Sequence, residues 1–84
     1  MSDEEIKSRV WDTAREAAEK GPGWAQESVV LRDVGKRLLD GETTESKLDL
    51  QQRILDAWYD LFAERKLGWG YDLDNPGSPF FHIR

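Results

Sequence analysis

The sequence predicts an α+β fold, mainly α, in which three helices precede a C-terminal β-hairpin within one domain spanning residues 1–84. Three observations carry that prediction. Apolar residues recur at helical spacing in three separate stretches, with caps and breakers between them. After Leu67 the pattern changes to strict alternation. A Pro- and Gly-containing turn then leads into a second aromatic run, as a returning strand requires.

Ser2-Asp3-Glu4-Glu5 has the form of a capping box, with Ser2 accepting a free amide, Glu5 reaching back, and three carboxylates at the positive end of the helix. Ile6, Val10, Thr13, Ala14 and Ala17 then share one face, flanked by Trp11 and Ala18, until Lys20-Gly21-Pro22-Gly23 stops the pattern. A helix over Asp3–Glu19 follows. Trp24 and Ala25 begin a short approach segment. Val30, Leu31, Val34 and Leu38 recur up to Asp40-Gly41, which predicts a second helix from about Val30 to Leu39 with Ser28 as its cap. The β-branched pair Val29-Val30 also suits the close of a short extended piece.

Thr43 and Thr44 offer a cap for the third helix. Leu50, Ile54, Leu55, Trp58, Leu61 and Phe62 form one broad apolar stripe over roughly twenty residues, about 30 Å of helix. This helix is expected to run to Lys66, with cations in its last turn and Gly68 just beyond. Leu67, Trp69, Tyr71 and Leu73 then alternate with small and acidic residues, Asn75–Pro79 turns the chain, and Phe80–Ile83 returns. Adjacent Phe80 and Phe81 point to opposite faces of that strand.

Two segments add a resemblance. Leu31-Arg32-Asp33-Val34-Gly35-Lys36-Arg37-Leu38 looks like the opening helix of a helix-turn-helix. Ile54-Leu55-Asp56-Ala57-Trp58-Tyr59-Asp60-Leu61-Phe62-Ala63-Glu64-Arg65-Lys66-Leu67-Gly68 resembles the second helix of a winged helix running into its first wing strand. Trp69–Ile83 would be the wing. The resemblance covers most of the chain after Val29. One feature departs from it: Leu39–Ser46 exceeds the usual three- or four-residue turn between such helices. What the resemblance implies is a DNA-binding transcriptional regulator, monomeric or dimeric, with Lys36, Arg37, Gln51, Gln52 and Arg53 as the residue types that meet nucleic acid.

The charges oppose that implication. The chain has 12 Lys+Arg against 17 Asp+Glu, a net charge of -5, and none of the segments Met1–Lys20, Gly21–Gly41, Glu42–Lys66 and Leu67–Arg84 is net basic. With the apolar stripe buried, the solvent face of the third helix holds Asp49, Arg53, Asp56, Asp60 and Glu64, where phosphate contact needs cations. Asp72 and Asp74 lie beside the hairpin turn, where a DNA-reading wing would carry Arg or Lys. A non-catalytic module that binds a protein partner therefore reads best, through that acidic face and through an aromatic hairpin surface of Tyr71, Phe80 and His82. A basic partner fits the charge, and a homodimer is compatible with it. A DNA-mimicking inhibitor of a basic protein is a further reading of the same stripe.

The composition also narrows the chemistry. Zero Cys and a single His leave no thiolate, no disulfide and no histidine cluster. Asp72, Asp74 and Gly77 sit at the first, third and sixth places of a calcium-like loop, but Pro76 stands fifth and Ile83 twelfth, where ligands belong. His82 with Asp72 or Asp74 across the hairpin would supply only two metal ligands. Catalytic residues, metal ligands and cofactors are therefore all expected to be absent. No apolar run reaches membrane length and the charged opening is no signal peptide, so a cytoplasmic protein is expected.

Overall fold

A computed structural model describes all 84 residues. The elements follow in the order α1 (Asp3–Lys20), β1 (Trp24–Gln26), α2 (Glu27–Leu39), α3 (Thr44–Ala63), β2 (Leu67–Trp69) and β3 (Phe80–Ile83). The strands form one antiparallel sheet in the order β1-β3-β2. Three helices with a small three-stranded antiparallel sheet are compatible with a winged-helix-like arrangement. No helix is long and apolar enough to cross a membrane.

The helix ends follow from local chemistry. At α1 the capping box forms as expected: Ser2 Oγ accepts from Glu5 N–H at 3.2 Å, and the Glu5 carboxylate accepts in return from Ser2. That bonding to Ser2 holds the Glu5 carboxyl below its ordinary range. Helix α2 begins at Glu27, earlier than its apolar spacing indicates, and Ser28 lies inside its first turn and does not cap it. Its Glu27 amide donates instead to Pro79 O at 2.9 Å, tying the helix start to the end of the β2–β3 loop. Thr43 Oγ1 caps α3 by accepting from Ser46 N–H at 3.2 Å. The connection between α2 and α3 is therefore only Asp40–Thr43, within the range of a helix-turn-helix and shorter than the spacing implied.

Helix α3 ends at Ala63, not at Lys66. Arg65 takes the left-handed conformation, φ 64°, while Arg65 N–H donates to Phe62 O and Lys66 N–H to Leu61 O, the pair of bonds of a Schellman cap. Glycine usually fills that position, so Gly68 drew the expected end too far along the chain.

The core joins one stripe from each helix to one face of the sheet. Ile6, Val10 and Ala14 of α1, Val30 and Val34 of α2, and Ile54, Ala57, Trp58 and Leu61 of α3 pack with Leu67 and Phe81. Trp58 is its largest member at 1% exposed, with Phe81 edge-on at 5.1 Å and Phe62 at 5.2 Å. Its indole N–H is buried without an acceptor, in a ring that also has Trp69 at 6.3 Å. Trp11 is half-buried at the rim, with Arg15 and Lys66 each 5.5 Å from its ring.

Strand β3 is central, and its register sets the faces. Ala25 and Trp69 flank Phe81 on the core side, whereas Trp24 and Gly68 flank His82 on the other. The expected alternation Leu67–Trp69–Tyr71–Leu73 stops at Trp69. Gly70 turns the chain with φ +81°, so Tyr71 leaves the core face and stacks on Trp24 at 3.9 Å.

Candidate functional site

On the outer surface of α3 the two sides differ. Asp49, Arg53, Asp56, Asp60 and Glu64 do line up, but the stripe flanks α1 and is not turned most directly outward. Its ends are tied across to α1. Arg53 pairs with Asp3 at 2.8 Å and Asp49 at 3.8 Å, and it also donates to the Met1 carbonyl. Glu64 pairs with Lys7 at 2.6 Å. Asp56 and Asp60, in the middle, are exposed and form no ion pair. They line an open depression of about 350 Å³ between α1 and α3, together with Asp3, Glu4, Lys7 and Arg53. Four carboxylates against two cations leave that depression negative.

The Lys7 ammonium, hydrogen-bonded to Glu64, holds the Glu64 carboxyl below its ordinary range, and Glu64 raises the Lys7 ammonium. A depressed carboxyl contributes stability that is present above its unfolded pKa of 4.5 and is lost as pH falls through the lowered folded value. The raised ammonium contributes below 10.5 and loses that contribution as pH rises through the higher folded value. The pair is partly exposed, so its effect is small and weakened by salt. The expected outcome is that Lys7→Gln lowers the urea midpoint by a constant amount through neutral pH. That difference should shrink below pH 4.5, and Glu64→Gln should behave alike.

The other side of α3 is apolar and open. Leu48 is 58% exposed, Leu55 37% and Tyr59 58%, at positions i, i+7 and i+11 of one face. Trp69, stacked on Phe62 at 4.4 Å, continues this surface onto β2. Leu55 was expected in the buried stripe; helical rotation carries it about 100° from Ile54, beyond what the core covers. Between α2 and α3 lies a groove of about 420 Å³, its apolar wall formed by Leu31, Leu39, Ile54 and Leu55 across Gly35. Arg32 and Gln51 complete the lining.

The residues expected to meet nucleic acid do not converge. Arg37 pairs with Asp33 at 3.2 Å and sits in the crevice with Arg9 and Thr13 toward α1. Gln51 lines the α2–α3 groove, Gln52 is exposed, and Arg53 is held at the α1 N-terminus. Lys36 is exposed and forms no ion pair.

The hairpin residues do come together, but largely with one another. Phe80 lies edge-on to both Trp24 at 5.4 Å and Tyr71 at 5.3 Å, half-buried, and Phe81 is in the core. His82 Nδ1 is 2.7 Å from Gly70 O, its ring lying over Gly68, where a Cβ would meet it at 2.8 Å. Asp72 Oδ1 accepts from the Asp74 and Asn75 amides and from the Asn75 side chain, closing its own turn. No three His, Asp or Glu side chains are grouped as metal ligands would be.

The exposed surface that sequence reasoning missed is Leu48, Leu55, Tyr59 and Trp69. Its only sequence signal is an apolar arc on the third helix wider than a small core needs. Comparison of the chain with protein families, with curated proteins and with solved structures finds no match.

Proposed function

We propose that this chain is a winged-helix-like, non-catalytic binding module whose α3 outer face takes a protein partner with basic and apolar side chains. One observation carries the reading. An exposed strip of Leu48, Leu55 and Tyr59 runs beside Asp56 and Asp60, two carboxylates with no ion pair of their own. Tyr is among the residues that anchor protein interfaces, and unpaired charges at an interface rim speed and orient encounter with the opposite charge.

The same surface argues against a nucleic-acid reader. On α3 only Lys47 and Arg53 are basic, and Arg53 is already committed to Asp3 and Asp49. The β2–β3 loop presents Asp72 and Asp74. A phosphate backbone brought to this side meets carboxylates, so counterion release, the main source of non-specific affinity, is absent.

Two measurements test the reading. Titration with random-sequence duplex DNA at low salt is expected to show no saturable binding. A partner recovered from native cell extract is expected to lose at least about tenfold in affinity with Tyr59→Ala, the mark of an anchor residue. Asp56→Lys with Asp60→Lys should slow its association and flatten the salt dependence. Tight, steeply salt-sensitive DNA binding would overturn the proposal in favour of a regulator. A partner indifferent to both variants would remove α3 from the interface.

A further inference from the structure

We infer that copies of this chain associate head to tail, with Leu73 of one copy seated in the α2–α3 groove of the next. This shares only Leu55 with the α3 partner surface, uses neither Tyr59 nor the carboxylates Asp56 and Asp60, and stands without that reading.

Leu73 is 98% exposed, the most open large apolar side chain in the molecule. It is presented on a closed loop. Asp72 Oδ1 gathers three donors around it, Tyr71 N–H donates to Asn75 O at 2.9 Å, and Gly70 N–H donates to Phe80 O at 2.7 Å. The backbone of Asn75 and Pro76 packs directly against Gly70. A loop closed in this way loses little further backbone freedom when its tip docks.

The groove is its complement in shape and in charge. Leu31, Leu39, Ile54 and Leu55 give an apolar wall, and Gly35 leaves the floor open. Its volume of about 420 Å³ is more than one leucine side chain needs, with room for the flanking backbone. Arg32 lines it, and Lys36 stands four residues further along the same edge of α2; both are exposed and neither forms an ion pair. Leu73 is bracketed by Asp72 and Asp74, exposed carboxylates without a cation. An acid–leucine–acid tip therefore meets an apolar slot with a basic lip.

The two surfaces are different patches, so the contact is heterologous and need not close on itself. It is also small, one loop in one groove, so the association is weak. Sedimentation equilibrium at physiological salt should show the average mass rising from 9.7 kDa past twice that value, without a dimer plateau, between micromolar and millimolar protein. Leu73→Ser, at an open position that cannot affect folding, should hold the chain at 9.7 kDa. Arg32→Glu should do the same, and Asp74→Lys together with Arg32→Glu should restore association. An equimolar mixture of Leu73→Ser and Arg32→Glu chains keeps one intact loop and one intact groove, and should stop at a dimer. A chain that stays monomeric throughout, or one whose association survives Leu73→Ser, overturns the inference. So does a wild-type plateau at the dimer.

Discussion

Phe81→Ala is expected to leave the chain only marginally folded at room temperature, whereas Phe80→Ala is expected to remain well folded. The two phenylalanines are neighbours in β3 and differ only in the face they take. Phe81 is 0% exposed, edge-on to Trp58 at 5.1 Å and paired in the ladder with Ala25 and Trp69. Truncating a buried Phe to Ala costs about 3–5 kcal/mol, because the cavity cannot fully collapse. A domain this short buries little surface, so its total stability lies near the low end of the usual range, about 5 kcal/mol. Loss of Phe81 uses most of it. Phe80 instead lies half-buried against Trp24 and Tyr71, where the surroundings can relax and water can enter, so about 1–2 kcal/mol is expected. Urea titrations followed by circular dichroism and tryptophan fluorescence decide it. Equal midpoints for the two variants would mean that β3 does not dock on α3 through Phe81.

That difference between adjacent residues was only half legible in the sequence. Strand periodicity requires Phe80 and Phe81 to face opposite ways, but it does not say which side is covered, or by what. The cover over Phe80 comes from Trp24 and Tyr71. Trp24 belongs to β1, a strand of three residues, too short for any periodicity to appear. Tyr71 reaches its place because a positive φ at Gly70 breaks an alternation that the sequence carries on to Leu73. Some local signals were legible, as at Ser2 with Glu5 and along Ile54, Trp58 and Leu61, although Ser28 caps nothing and the left-handed Arg65 ends α3 before Lys66. Features that need two distant segments were not legible, because their cause lies in the partner segment. Leu55 shows the same limit: its apolar character is plain, but whether the core reaches it depends on where α2 and β2 pack.

Gly70→Ala should cost about 3 kcal/mol, while Gly77→Ala, seven residues on in the same loop, should be neutral or slightly stabilising. Gly70 has φ +81°, a conformation that costs an L residue about 1–2 kcal/mol. A Cβ there would also lie 2.4 Å from the Pro76 carbonyl carbon, 2.5 Å from its Cα and 2.6 Å from Asn75 O. These are backbone atoms that no rotamer change can move aside, and relieving such overpacking costs about 1–3 kcal/mol more. The loop must therefore swing away, which breaks the Tyr71–Asn75 and Gly70–Phe80 hydrogen bonds and frees His82 Nδ1 from Gly70 O. The Trp24–Tyr71 stack opens with it, but the stripe of Ile6, Val10, Ile54 and Leu61 does not depend on this loop and should persist. Gly77 has nothing within 4 Å of its Cβ position, so alanine there mainly reduces the freedom of the unfolded chain. Thermal unfolding gives the two stabilities. Near-ultraviolet circular dichroism reports the stack, and it should weaken in Gly70→Ala while the far-ultraviolet helical signal stays. If Gly70→Ala melts together with Gly77→Ala and keeps its aromatic signal, the close packing of Pro76 on Gly70 is wrong, and with it the fixed presentation of Leu73.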